Sequence, residues 1–279
     1  MQQPSPRWGQ LKDLVRLPSG RRFSEIKRIF KSRSRRTLNK IVFSYLAPGL
    51  NRSGLPYAIG YKPDSHIDSG HFPEYSRFFE LWTYHNSVNN CGDIARFYAF
   101  FLNVNHVLQG GIPGDLVELG VYRGNSAAML AALARDHGRH VYLFDTFTGF
   151  DERDLRGVDA GRKHRGFEDT SVEALMRLVG TDSVTCIQGF FPDSLAKVTL
   201  PAQIAVVHID CDLYEPMKAG LEIFYPLVSP GGILILHDYS SGQWLGTTQA
   251  VDEFFADRPE KPILIPDKSG SAIVRKSMR

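Results

Sequence analysis

Two short clusters in the 279-residue chain carry side chains that could do chemistry together. Asp210-Cys211-Asp212 follows the apolar run Ile204–Ile209, and His237-Asp238 follows the apolar run Gly232–Leu236. If both runs are neighbouring strands, Asp210, His237 and Asp238 converge beyond their carboxyl ends, where ligands sit in open α/β sheets. Two carboxylates and an imidazole can hold a divalent cation or take a proton, because imidazole titrates near neutral pH. Asp210, His237 and Asp238 are therefore the candidate metal ligands, and Asp210 and His237 the candidate proton acceptors. Asp212 reads equally well as a cap for a helix starting near Glu215. His208, in the middle of its run, reads as a core histidine.

A second constellation lies upstream. Leu116–Leu119 is a short apolar run that ends in Glu118-Leu119-Gly120-Val121-Tyr122-Arg123-Gly124-Asn125-Ser126. Glycines four apart allow a tight turn and close approach of a ligand to the backbone. A pyrophosphate binder uses GxGxxG and avoids a carboxylate at this point, since phosphate is anionic. ExGxxxG favours a ligand with a positive group, such as the ammonium and sulfonium of S-adenosylmethionine. Asp145 ends the next apolar run, 27 residues after Glu118. An acid there can take both ribose hydroxyls, or it can cap the turn that follows.

These residues need a scaffold that alternates strand and helix. Apolar runs at 116–119, 140–144, 183–188, 204–209 and 232–236 read as strands covered on both faces. Helical patterns at 125–135, 171–179, 215–227 and 248–256 separate them. The alternation predicts a doubly wound, Rossmann-like α/β fold with a parallel sheet. Residues 263–265 and 272–274 read as a hairpin, so that one antiparallel strand closes the sheet. Three segments follow: a basic arm and linker at 1–55, a helical, aromatic-rich lid or acceptor region at 56–110, and a cofactor-binding domain at 111–279. Tyr84, His85 and Arg96 are acceptor-side candidates in the second segment. The alternative is an ordinary helix packing its aromatics on the sheet. The charged stretch Gly161–Asp169 reads as a loop over the ligand or as a solvated loop.

Composition narrows the class. The net charge of +3 hides twelve Lys/Arg against only Asp13 and Glu25 in residues 1–40. That arm carries +10, and the remaining 21 basic and 28 acidic residues carry −7. No apolar run approaches the roughly 18 residues of a spanning helix. Cys91, Cys186 and Cys211 are odd in number and lack CxxC spacing, which argues against a disulfide framework or zinc site and for a reducing, cytoplasmic setting. The Arg- and Ser-rich start has no secretory h-region, though it is similar to an organellar transit peptide. The arm lacks the aromatic interleaving of single-strand binders, so no nucleic-acid partner is expected. It suits peripheral contact with an anionic membrane, or a solvated tail.

In order and spacing, VELGVYRG (117–124), FDTFTGF (144–150), QGFFPDSL (188–195), IDCDLYE (209–215), SPGG (229–232) and AVDEF (250–254) resemble the macrocin O-methyltransferase (TylF/MycF/NovP) family of class I S-adenosylmethionine-dependent methyltransferases. The resemblance covers roughly residues 74–275. It implies a seven-stranded methyltransferase sheet and O-methylation of a sugar, glycan or glycosylated small molecule. It implies cofactor contacts from Glu118, Gly120, Tyr122, Gly124, Asn125, Ser126, Asp145, Gly189 and Asp210. It also implies a magnesium site on Asp210 and the pair His237-Asp238. There the chain departs from the family pattern, which has two acids in place of His237-Asp238; imidazole is a poor ligand for magnesium. Two other readings use the same residues: a non-catalytic cofactor-binding scaffold, and an NAD(P)-dependent oxidoreductase, which the absence of GxGxxG disfavours. A homodimer is the commonest assembly for such a chain.

Overall fold

The computed structural model describes residues 93–162 and 167–278, all within the second of two units, Gly60–Arg279. The arm and linker at 1–55, Tyr84, His85 and most of the 56–110 segment lie outside the described residues. The elements in chain order are α1 (Ile94–Gln109), β1 (Asp115–Leu119), α2 (Asn125–Asp136), β2 (Val141–Asp145), α3 (Val172–Val179), β3 (Val184–Gln188) and β4 (Ile204–Ile209). They continue with α4 (Tyr214–Phe224), β5 (Val228–Leu236), α5 (Leu245–Phe255), β6 (Ile263–Leu264) and β7 (Ala272–Arg275).

The sheet has seven strands in the order β3-β2-β1-β4-β5-β7-β6. β7 runs antiparallel to both β5 and β6, and the other pairings are parallel. The expected doubly wound sheet with one antiparallel strand is therefore what forms. That strand does not close the edge, however. The second arm of the hairpin docks on β5, which leaves the two-residue β6 outermost.

Alternation along the strands separates two cores. Leu116, Leu143, Val206 and Ile235 point toward α1, α2 and α3, while Val117, Phe144, Val207 and Leu234 point toward α4 and α5. α1 lays Phe97, Phe100, Phe101 and Val104 into the first core, each almost fully buried. Burying such a side chain contributes about 1.5–3 kcal/mol, so α1 is held as a structural layer of the sheet. Asp93 caps it, accepting from the Arg96 N–H at 3.1 Å. Ser171 caps α3 in the same way through Ala174 N–H.

Two boundaries differ from the sequence expectation for local reasons. α4 stops at Phe224, and Tyr225–Leu227 tightens into a 3₁₀ turn around Pro226, which has no N–H to continue the ladder. β5 begins at Val228, four residues before the apolar run, because Gly231 and Gly232 exchange backbone hydrogen bonds with Lys276.

Candidate functional site

The strand order turns back between β1 and β4. At their carboxyl ends, with those of β2 and β5, opens a cavity of about 520 Å³. Its floor is the turn after β1. Gly120 (φ +86°), Tyr122 (φ +48°) and Gly124 (φ +82°) all lie in the left-handed region. At Gly120 the need is absolute: a Cβ would lie 2.0 Å from the Asp210 carbonyl oxygen. The missing side chain lets the ends of β1 and β4 touch, with Asp210 N–H bonded to Leu119 O at 2.8 Å.

Asp145 holds the rest of the turn. One carboxylate oxygen accepts from the backbone N–H of Val121 (2.7 Å) and Tyr122 (2.8 Å), and the other accepts from Phe147 N–H (2.7 Å). The turn-capping alternative for Asp145 is thus realised. Asp145 also faces the cavity, and a carboxylate has about four acceptor positions, so it keeps capacity for a ligand hydroxyl. Tyr122 is pinned from outside, its hydroxyl donating to Asp169 at 2.6 Å, with Arg123 paired to the same carboxylate. Phe150 and Phe167 lie 5.2 Å apart between centroids, and Phe150 meets Trp244 edge-on at 5.8 Å. This aromatic wall suits a flat base.

Across the cavity lie the acids. Asp210, Asp212, His237 and Asp238 each offer a ligand atom, and these atoms lie within 4.8 Å of one another. Asp212 (φ +64°) and Asp238 (φ +59°) are left-handed non-glycine residues, a conformation that aspartate tolerates better than most. His237 Nδ1 is 2.6 Å from Asp210 Oδ1 and 2.7 Å from Asp238 Oδ2. Neither ring nitrogen makes an aligned hydrogen bond among the described residues. Arg96, from the first turn of α1, reaches Asp210 Oδ2 at 2.8 Å.

These charges shift one another. Burial works against the Asp210 carboxylate, but His237 and Arg96 outweigh it and hold its carboxyl well below the usual range. Burial and Arg96 push His237 down, and Asp210 and Asp238 more than reverse this, bringing it up to about 9. Burial, with Asp210 and Asp238 beside it, pushes the Asp212 carboxyl well above the usual range.

The structure thus brings Gly120, Tyr122, Asn125, Ser126, Asp145, Gly189, Asp210, His237 and Asp238 to one cavity. Two predicted cofactor residues are elsewhere. The motif puts Glu118 against a cationic ligand group, but it is 0 % exposed and does not line the cavity. There it accepts from the Ser126 hydroxyl and pairs with His208 Nδ1 at 2.9 Å. The period of the strand explains this: Glu118 stands beside His208 in register, on the face toward α1 and α2. Gly124 lies beneath the turn, where a Cβ would meet the Leu175 side chain at 2.5 Å. His208 is the core histidine expected, with Nε2 3.4 Å from Arg96 and its ring edge-on to Phe100. Asp212 does not cap α4, whose cap residue Leu213 makes no side-chain bond; Asp159 accepts from Tyr214 N–H instead. The sequence offers Arg96 as an acceptor-side candidate and gives no sign of the part Asp159 plays. Arg96 carries no local signal, since its partner is 114 residues away.

Comparison with known proteins agrees with this geometry. Residues 92–271 match the family model described as macrocin-O-methyltransferase (TylF). The chain is 37% identical to 8-demethyl-8-(2,3-dimethoxy-alpha-L-rhamnosyl)-tetracenomycin-C 4'-O-methyltransferase of Streptomyces olivaceus, across 49% of this chain and 57% of that protein. It is 32% identical to demethyldecarbamoylnovobiocin O-methyltransferase of Streptomyces niveus, across 49% and 56%. The matched segments span little more than half the length of these curated relatives. Among solved structures, the O-methyltransferase NovP superposes with a TM-score of 0.55 at 27% identity, covering 66% of this chain and 80% of that one. CalS11, a calicheamicin methyltransferase, shares the fold with a TM-score of 0.53 at 22% identity, covering 79% and 98%. With the match extending over most of the chain, from the start of α1 to the last hairpin, the protein belongs to the macrocin-O-methyltransferase (TylF) family.

Proposed function

We propose that the chain transfers a methyl group from S-adenosylmethionine to a hydroxyl oxygen of a sugar carried by a small molecule. The observation that carries this reading is one cavity with a carboxylate-clamped glycine turn on one side and the Asp210–His237–Asp238 cluster on the other. The names of the curated relatives, sugar or antibiotic O-methyltransferases, support the same acceptor class.

The residues suit the cofactor. Gly120 and Gly189 line the cavity, Asp145 offers acceptor capacity for ribose hydroxyls, and Asn125 and Ser126 open α2 beside them. Once bound, the cofactor supplies an electrophilic sulfonium methyl. The chain's part is to hold the acceptor oxygen in line with that methyl; such positioning yields a large share of rate acceleration. Asp210 accepts the hydrogen bond of the acceptor hydroxyl. As the oxygen–carbon bond forms and the carbon–sulfur bond breaks, the oxygen becomes strongly acidic, so even a carboxylate of depressed basicity takes its proton. His237 is the alternate acceptor when neutral.

A divalent cation fits the donor set. Three carboxylates and one imidazole converge, and Asp212 stays ionised only at a cost that a cation would remove. Asp210, Asp212, His237 and Asp238 would hold it, and it would supply a Lewis-acidic contact for the acceptor oxygen.

The test is calorimetric binding of S-adenosylmethionine and NAD, followed by label transfer to rhamnosyl and other deoxysugar glycosides. Selective binding of S-adenosylmethionine and labelled ether are expected. Equal affinity for NAD would sink the cofactor assignment. Selective binding without transfer to any glycoside would favour the scaffold reading. No helix among the described residues is long and apolar enough to cross a membrane. The cationic arm is proposed to touch anionic membranes, and deleting residues 1–40 should abolish sedimentation with phosphatidylglycerol vesicles.

A further inference from the structure

We infer that Asp210, Asp212, His237 and Asp238 form a mixed imidazole–carboxylate site that selects a first-row transition-metal dication over magnesium. This deepens the reading of the cavity as an active site by naming the ion.

Acidic side chains cluster on many proteins without binding metal; the imidazole sets this cluster apart. His237 is 8 % exposed, and neither of its ring nitrogens makes an aligned hydrogen bond among the described residues. Its Nδ1 nonetheless points among carboxylate oxygens at 2.6 and 2.7 Å. Set between carboxylates that it meets as an ion pair, the buried imidazole completes a four-donor set of the kind that holds a metal ion.

The charge count points to a dication. With His237 neutral, as a ligand must be, the three aspartates carry −3. Arg96 sits on Asp210 Oδ2 at 2.8 Å and returns +1. The residue of −2 equals the charge of one divalent ion. Arg96 also occupies that oxygen and leaves Asp210 Oδ1, the atom nearest His237, to face the ion.

The donor chemistry points to the kind of dication. Magnesium wants oxygen ligands in near-ideal octahedral geometry and keeps its waters. Imidazole suits transition metals, and carboxylates accommodate them, so a site with one nitrogen and three carboxylates favours manganese(II), cobalt(II) or zinc(II).

The experiment uses the full chain treated with EDTA and titrated separately with the chlorides of manganese, cobalt, zinc and magnesium, with neither cofactor nor acceptor present. Calorimetry should find one ion per chain, with manganese or cobalt bound about 100-fold tighter than magnesium. Electron spin-echo spectroscopy of the manganese form should show nitrogen modulation. H237E should retain manganese within about tenfold, lose the nitrogen modulation and bring magnesium within about tenfold of manganese. H237A provides a smaller replacement, and circular dichroism of both variants in EDTA checks folding. Magnesium binding as tight as manganese, no saturable binding of any ion, or a manganese spectrum without nitrogen modulation would overturn the inference. None of these results touches the methyl-transfer reading, which stands or falls on cofactor binding and label transfer.

Discussion

Replacing Gly120 by alanine probes the contact on which the cavity is built. The comparison is Gly138→Ala, because Gly138 also has a positive φ (+62°) but its Cβ would meet nothing within 4 Å. Each substitution pays about 1–2 kcal/mol for the left-handed backbone. At Gly120 the new methyl also lies 2.0 Å from Asp210 O and 2.6 Å from Asp210 C. These are backbone atoms at the end of a central strand, so neither can swing aside as a side-chain tip would. β1 and β4 must part by about 1 Å, with an overpacking cost of about 1–3 kcal/mol. The Asp210 N–H to Leu119 O bond, worth about 1 kcal/mol, is strained or lost with it. The excess over Gly138→Ala is therefore about 2–4 kcal/mol. With a urea m-value of about 3 kcal/mol/M for a chain of this size, the midpoint should fall about 1 M further. S-adenosylmethionine affinity should drop with it, since Asp210 moves. Coincident midpoints for the two variants would show that the β1–β4 approach is not tight and refute the reasoning.

Other substitutions test neighbouring parts of the site. Glu118→Leu should destabilise by about 3–5 kcal/mol in urea, because it leaves His208 and Ser126 without their buried partner, and His208→Leu in the same chain should recover much of the loss. Asp145→Ala removes the acceptor for three backbone N–H groups; a loss of about 3 kcal/mol is expected, with less than half of it for Asp145→Asn. Asp154 gives a pH test. Burial, with Asp151 and Glu215 nearby, pushes its carboxyl up to about 7. The folded chain then binds this proton more tightly than the unfolded one, so wild-type stability falls as pH rises from about 4 through about 7. Asp154→Asn should thus gain about 3 kcal/mol at pH 8 and almost nothing at pH 4, read as melting temperatures; an equal gain at both would count against it.

Much of this architecture is legible in the sequence because buried parallel strands announce themselves. Ile204–Ile209 is apolar throughout save His208, and its boundaries match the strand. The elements misjudged are those set by distant partners. β5 extends back across Pro230 because Lys276, at the far end of the chain, pairs with Gly231 and Gly232. The place of β7 between β5 and β6 is not legible because pairing partners cannot be read from a hairpin's own residues. In the site, Asp210, His237 and Asp238 follow from strand ends alone. Glu118 misleads because the motif shows its type but not the face on which it falls. That face becomes plain only when register sets it beside His208, 90 residues later. Arg96 escapes for the same reason: nothing in α1 tells which of its polar residues meets an acid 114 positions away.

The left-handed backbone at Asp212 and Asp238 also constrains how the gene can drift. Asparagine and glycine are the residues that share aspartate's tolerance for φ near +60°, and both codons lie a single base change from aspartate. Selection for the fold alone would therefore accept Asn or Gly at these positions and reject most others. If the proposed cation is bound, a descendant that abandons it would be expected to lose its carboxylates first there, by steps invisible to the sheet. Position 210 has no such latitude, since Arg96 would be left facing a neutral side chain. The order in which these acids disappear across diverging lineages would then be a readable history of when the proposed ion was given up.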